Sequence, residues 1–271
     1  MIDQIQPPQK SKPSTITQSS DVLPHAALGR DKGKQRESNE DSLGSATIRK
    51  GEVTIEIYAV ADGMGGHDSG ETASQLAVHT VMQTLTENLQ GKESRQDYLD
   101  LLCRAVFEAN RVVRDQAAKM DSKMGTTLVA AVIVGANAYI ASVGDSRAYV
   151  ISPSNIRQIT HDQSFVQSLL DMGAITLEQA KDHPYQNILT QAIGSSEKID
   201  VGTFYEQLGT EELLLLCTDG LWKALGSEKI HQLLQQTRTP NEGCAALVNA
   251  ANAAGGEDNI SAILIRPTAE S

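Results

Sequence analysis

Residues 53–66 read VTIEIYAVADGMGG, and the architecture turns on them. Val53, Ile55 and Ile57 alternate with Thr54 and Glu56 at the two-residue period of a half-buried strand, and an apolar run carries the strand on to Val60. The run stops in Ala61-Asp62-Gly63, an acid and a turn former at the mouth of a strand. Upstream, residues 42–48 form a second strand candidate across Lys50-Gly51, so the pair reads as a hairpin. Downstream, residues 69–89 and 98–120 space their apolar side chains near the helical period. Leu76, Val81 and Leu85 carry the first pattern and Leu102, Val106 and Val113 the second, predicting two amphipathic helices in series. Three strand candidates follow at 126–134, 138–143 and 146–151, punctuated by Gly135-Ala136-Asn137 and Gly144-Asp145 and reading as a meander. Residues 160–186 break the pattern with two short helical stretches, at 164–172 and 177–181, and suggest a flap. Strands resume at 188–192, 199–205 and 213–217, helices at 228–236 and 242–254, and residues 259–265 close the chain as a last strand. Strand runs interrupted by helix pairs, without regular β-α-β alternation, predict an α+β fold of antiparallel sheets covered by helices.

Composition narrows what such a domain does. The 271 residues are 40% apolar and 21% charged, enough to fill a core and leave an ordinary surface. The 23 basic and 34 acidic residues leave a net charge of −11, which repels a phosphate backbone and argues against nucleic acid as a partner. The longest apolar runs, 128–134 and 213–217, fall far short of the roughly 20 residues of a membrane span, so no membrane partner is expected. Cys103, Cys217 and Cys244 are widely spaced, without a C-x-x-C pair, and point to a reducing, cytoplasmic setting. Residues 1–24 carry Pro7, Pro8, Pro13 and Pro24 among Ser, Thr and Gln and lack the basic start and apolar centre of a signal peptide. They are expected to be a disordered polar tail ahead of one catalytic domain over residues 25–267.

The acids carry the chemistry. Asp62-Gly63 and Asp219-Gly220 end apolar strands, Asn39-Glu40-Asp41 and Asp258-Asn259 precede strands, and Asp145 lies between two. Antiparallel strands bring such ends to one rim, and that many like charges are tolerated together only with cations between them. Carboxylate and carbonyl oxygens select Mg²⁺ or Mn²⁺ over Zn²⁺. A pair of such ions suits displacement by water at phosphorus, and Arg36 is a planar donor fitted to a phosphate. Any one of these turns read alone is ordinary turn chemistry; the recurrence at strand mouths sets them apart.

Taken in order, Arg36-x-x-Asn39-Glu40-Asp41, Asp62-Gly63-Met64-Gly65-Gly66-His67, Gly125-Thr126-Thr127, Gly144-Asp145-Ser146-Arg147, Cys217-Thr218-Asp219-Gly220 and Asp258-Asn259 resemble the motif series of the metal-dependent PPM (type 2C) Ser/Thr protein phosphatases, bacterial branch. The resemblance runs from about residue 26 to 267. It implies an α-β-β-α sandwich of two central antiparallel sheets flanked by helix pairs, with two Mn²⁺ or Mg²⁺ ions at one end and a weaker third. On this likeness Asp62 bridges the two ions, Asp219 and Asp258 complete one site, and Glu40 with the Gly63 carbonyl serves the other. Asp145 with Asp219 matches the third. Arg36 holds the substrate phosphate and Asp41 orients the attacking water. The resemblance implies hydrolysis of phospho-Ser and phospho-Thr in phosphorylated proteins by direct attack of a metal-bound water, opposing a Hanks-type Ser/Thr kinase. Two departures stand out. Met64 replaces the histidine that animal members carry as general acid, leaving His183 and His67 as candidates, and Gln163 stands where relatives show histidine.

Rival readings are weaker. A dinucleotide loop at Gly63-Met64-Gly65-Gly66 fails because Asp68 takes the third glycine position. A cysteine phosphatase needs an Arg six residues past its Cys, where this chain has Ala109, Lys223 and Ala250. An adaptor that keeps the fold without turnover would be expected to have lost one of Glu40, Asp62, Asp219 and Asp258, and all four are present. A regulatory phosphatase devoted to one anti-sigma-factor antagonist would be expected to carry further sensor domains, for which these residues leave no room.

Overall fold

The computed structural model describes residues 25–65 and 68–267. The expected tail, residues 1–24, and His67 lie outside the described residues. The first half of the chain holds β1 (Ala26–Asp31), β2 (Asp41–Lys50), β3 (Val53–Met64), α1 (Asp68–Asn88), α2 (Arg95–Met120), β4 (Gly125–Thr126), β5 (Leu128–Val134) and β6 (Asn137–Val143). The second half holds β7 (Arg147–Ile151), β8 (Ile156–Gln158), α3 (Phe165–Asp171), α4 (Leu177–Lys181), β9 (Gly202–Gln207), β10 (Leu213–Cys217), α5 (Asp219–Leu234), α6 (Pro240–Ala253) and β11 (Ile260–Ile265).

The strands form two sheets, one in the order β2-β3-β5-β6-β9 with β4 on the end of β3, the other in the order β1-β11-β10-β7-β8. Every pairing is antiparallel. Alternation along β3 explains the layering, because successive side chains leave opposite faces of a strand. Ile55, Ile57, Ala59 and Ala61 pack under α1 and α2 against Leu85, Leu102 and Val106. Tyr58 and Val60 point the other way, into a core between the sheets shared with Val150, Leu214, Leu216 and Ile263. The opposite faces of β10 and β11 give Leu215, Ala262 and Leu264 to a third core under α5 and α6. Both faces of both sheets are thus covered, and the layers run α-β-β-α, the sandwich expected.

The expected hairpin forms from β2 and β3. Helix α2 begins earlier than the apolar spacing suggests, because Ser94 and Asp97 close a capping box ahead of it. Three expectations are corrected. The meander stops after β6: β7 pairs with β10 and β8 in the other sheet, and Gly144, at φ +95°, makes the turn between sheets. Residues 188–192 are not a strand. They pair only briefly, through backbone bonds from the Phe165 N–H to the Ile188 carbonyl and from the Thr190 N–H to the Gln163 carbonyl about the single bridge Ser164↔Leu189, with a further bridge at Thr126↔Ile193. Helix α5 starts at Asp219 rather than at residue 228, with a break at Gly226 (φ 70°, ψ 159°), so the apolar pattern marked only its second half. The three-residue β8 and the strand β1 carried no signal strong enough to assign.

Candidate metal centre

The β2–β3 register sets Asp41 opposite Asp62. On β3 the Asp62 backbone is clamped: its N–H donates to Thr127 Oγ1 at 2.9 Å, and its carbonyl accepts from the Thr127 N–H at 2.9 Å and the Thr126 hydroxyl at 2.8 Å. That clamp is the structural use of Gly125-Thr126-Thr127. From the other sheet, β10 ends at Cys217, Thr218 caps α5, and Asp219 occupies the first turn, where the helix dipole favours an acid. Thr218 forgoes a side-chain cap bond; its hydroxyl donates to Asp41 Oδ2 at 2.9 Å and accepts from the Ser261 N–H at 3.0 Å. Asn259 ties residues 32–40 to the start of β11. Its Oδ1 accepts from the Glu40 N–H at 2.7 Å, and its Nδ2 donates to the carbonyls of Lys32 and Ser38, each at 2.9 Å.

The backbone at Gly63 leaves no room for a side chain. A Cβ there would stand 2.1 Å from the Gly70 carbonyl oxygen and 2.6 Å from that of Glu40, and one on Gly70 would stand 2.0 Å from Glu40 Oε2. Only paired glycines let α1 come down on β3 and hold the Glu40 carboxylate over the helix start.

These elements open a cavity of about 460 Å³ whose wall includes Arg36, Glu40, Asp62, Gly63, Thr127, Asp145, Asp219, Asp258 and Asn259, together with Asn187 and Leu189 to Ala192 just after the flap. Burial, followed by repulsion from Asp219, lifts the Asp62 carboxyl well above the ordinary range and Asp145 to about 7. The same two causes raise Asp258, against the pull of Arg36, whose Nη2 lies 2.8 Å from Asp258 Oδ2. Asp219 goes the other way: despite burial, the Lys223 ammonium 2.6 Å from Oδ2 holds it below the usual value, while its Oδ1 is buried without a hydrogen-bond partner. Lys223 in turn is held above the lysine range, its burial outweighed by Asp219 and Asp145.

Asp41 is brought to the cluster but not to the cavity wall. It is fully buried behind Asp62 and Asp219, its carboxyl pushed up to about 7 by burial, and its Oδ1 has no hydrogen-bond partner. His183 is not brought in. It sits half-buried in the flap beside Phe165 and Tyr185, and its Nδ1 accepts from the Tyr185 N–H at 3.2 Å. Gln163 anchors the flap's base: it exchanges 2.9 Å bonds with Gly144 N–H and carbonyl, and its Nε2 donates to the Asp200 carbonyl at 2.8 Å. Arg147 has a similar bracing task, gripping Asp162 through Nε and Nη2 and stacking 3.3 Å over the Trp222 ring.

Sequence reasoning missed Lys223, and the signal was there. Asp219 and Lys223 are four apart, an ion pair once the helix begins at Asp219. Among the described residues no three carboxylate, imidazole or thiolate groups are already closed into a cage for an ion. The donors nonetheless fit a hard divalent cation. They are all oxygens, the carboxyls of Asp62, Asp145 and Asp258 are raised by burial and by the Asp219 charge, and buried Asp219 Oδ1 has no hydrogen-bond partner.

Residues 28–255 match the family model described as Protein phosphatase 2C. The chain is 38% identical over 245 residues to the serine/threonine phosphatase stp of Listeria monocytogenes serotype 4b (strain F2365), covering 89% of this chain and 95% of that protein. Its fold is similar to that of the serine/threonine phosphatase Stp1 from Staphylococcus aureus, with a TM-score of 0.81, 30% identity and coverage of 97% and 99% of the two chains. It is also similar to the catalytic domain of the serine threonine protein phosphatase PstP in complex with two manganese ions, at a TM-score of 0.76, 31% identity and coverage of 90% and 97%.

Proposed function

The chain belongs to the protein phosphatase 2C family, and from that premise we propose that its acid-lined cavity hydrolyses phosphoserine and phosphothreonine in phosphorylated proteins with the help of two divalent ions. It is a bacterial-type protein serine/threonine phosphatase. The observation that carries the site assignment is the convergence of Glu40, Asp62, Asp219 and Asp258 from the ends of two different sheets onto one open cavity, with Arg36 on its wall.

Asp62 would be shared by the two ions, Asp219 and Asp258 would hold one, and Glu40 with the Gly63 carbonyl would hold the other. When bound, a Mn²⁺ or Mg²⁺ pair supplies Lewis acidity that lowers the pKa of water and neutralises phosphate charge. Manganese is the ion to test first, since PstP carries two. The protein's own groups do the rest. Arg36 is more than half exposed and can exchange Asp258 for two phosphate oxygens of the substrate. Asp41, held by the Thr218 hydroxyl and paired across from Asp62, lies behind the wall, so its influence on the attacking water would pass through the Asp62 strand. Asn187 and residues 189–192, which follow the flap, limit what approaches beside the phosphate. His183 is not carried forward as a general acid, because its ring packs into the flap and does not line the cavity.

The phosphoproteins served are those of a Ser/Thr protein kinase, and the site of action is the cytoplasm, in keeping with three unpaired cysteines. No helix among the described residues is long and apolar enough to cross a membrane. An adaptor role is disfavoured because no acid of the set has been lost from the wall.

The test is phosphate release from a phosphothreonine peptide with Mn²⁺, with EDTA, and with Asp219→Asn. Release should need both the metal and Asp219, and fall on the order of 100-fold or more in the variant, at least the loss that an outer partner of a metal ligand costs. Release from folded Asp219→Asn at the wild-type rate would overturn the assignment.

A further inference from the structure

We propose that Lys223 is a built-in cation: its ammonium occupies the Asp145–Asp219 corner, where the family resemblance implies a weaker third ion, so that this enzyme takes up two metals and not three. The inference rests on the metal-dependent reading above. It concerns a residue that belongs to none of the six motifs.

The geometry is that of a filled site. Lys223 Nζ lies 2.6 Å from Asp219 Oδ2 and 3.8 Å from Asp145 Oδ2 and donates to Asn187 Oδ1 at 2.8 Å. An ammonium has three N–H donors and no acceptor, and here it is ringed by three oxygen-bearing side chains. A divalent ion would need those oxygens within about 2.0–2.6 Å of its own centre. An ammonium already at 2.6 Å from Asp219 excludes it by volume and by like charge.

The lysine is also aimed. It lies one turn after Asp219 on α5, so the helix alone brings the two together. Its ammonium lies 5.3 Å from the centroid of the Trp222 ring, within cation–π range. That ring is itself fixed. Its Nε1 donates to the Asp145 carbonyl at 3.0 Å, and the Arg147 guanidinium covers it at 3.3 Å. One residue, Asp145, therefore positions both the ring beside the lysine and the carboxylate in front of it. The bond to Asn187 extends the contact to the segment that follows the flap, so the charge that neutralises the corner also holds that segment to the acids, a link that an exchangeable ion would make only while bound.

The experiment counts ions. Wild-type protein and Lys223→Gln are saturated with millimolar Mn²⁺, bound metal is counted by equilibrium dialysis, and crystals are soaked for anomalous diffraction at the manganese edge, with circular dichroism as the check on folding. The wild type should hold two ions per chain. Lys223→Gln should gain one, with its anomalous peak between Asp145 and Asp219, and Lys223→Gln/Asp145→Asn should return to two. Lys223→Arg, which keeps the charge, should stay at two, and Lys223→Met serves as the second neutral variant should the glutamine protein misfold. Three ions in the wild type, or two in both neutral variants, would overturn the proposal while leaving the two-metal reading intact. A wild type that binds none would overturn that reading itself, and this inference with it.

Discussion

Replacing Asp41 by Asn should reshape how the metal-free protein responds to pH. The Asp41 carboxyl is fully buried, and burial, aided by the nearby Asp219 charge, raises its pKa from 3.8 to about 7 against the pull of the Ser261 and Thr218 hydroxyls. A carboxyl that ionises less readily when folded than when unfolded binds the extra proton in the folded state. Its contribution to stability is therefore complete below about pH 4 and is lost as pH rises through about 7. A shift of about three pKa units corresponds to about 4 kcal/mol at full loss. Asp62, Asp145 and Asp258 are raised too and act in the same sense, whereas Asp219 is lowered, so its contribution changes only in acid below about pH 4. Urea unfolding in EDTA should accordingly show the wild type losing stability between pH 5 and pH 8. Asp41→Asn carries no charge there, and its side-chain carbonyl can still accept from Thr218. At pH 4 it should lie within about 1 kcal/mol of wild type, the size of one neutral hydrogen bond, and at pH 8 it should be the more stable of the two by up to about 4 kcal/mol. Mn²⁺ at 100 times its Kd should add about 2.7 kcal/mol to the wild type at pH 8, because the ion binds only the folded, ionised cluster. Parallel pH dependences for wild type and variant in EDTA would refute the claim that Asp41 is a buried acid strained by its neighbours.

Two further substitutions test the scaffold. Gly63→Ala drives a methyl against two backbone oxygens that cannot swing aside; it should destabilise the protein by about 3 kcal/mol or more, as overpacking does at a rigid site, read as a lowered urea midpoint at unchanged m-value. Asn259→Ala removes the three bonds that join Glu40, Lys32 and Ser38 to the last strand. Mn²⁺ affinity by calorimetry should fall roughly 10–100-fold, as for loss of an outer partner of a metal ligand, and unchanged affinity would show that the Glu40 loop holds its position unaided.

Much of this molecule was legible in the sequence, and the exceptions share a cause. Strands buried on both faces, such as Leu128–Val134, announce themselves as apolar runs, and the paired Asp-Gly and Asp-Asn steps mark their ends. What local pattern does not encode is which sheet a strand joins. Residues 137–143 and 147–151 look like neighbours in a meander, yet Gly144 sends the second into the other sheet, where its partner β10 lies more than sixty residues on. Helix α5 was half hidden because Gly220 and Gly226 read as breakers. One is required where a Cβ would meet the Asn259 carbonyl oxygen at 2.0 Å, and the other is the break itself. Lys223 disappeared with that first half. Within the site, the acids could be named from their positions at strand mouths, but the burial of Asp41 and the retreat of His183 into the flap depend on packing between elements far apart in sequence.

The bond from Glu40 to Asn259 spans 219 residues, and β1 pairs along its length with β11. A growing chain leaving the ribosome therefore cannot assemble this site in stages. At 5–20 residues per second, the interval between making Glu40 and making Asn259 is on the order of 10–40 s. Throughout it the early acids wait without their partners, and β1 waits without its neighbour. A nascent chain that has not yet reached Asn259 and β11 lacks Asp258 as well, and so carries no complete acid cluster.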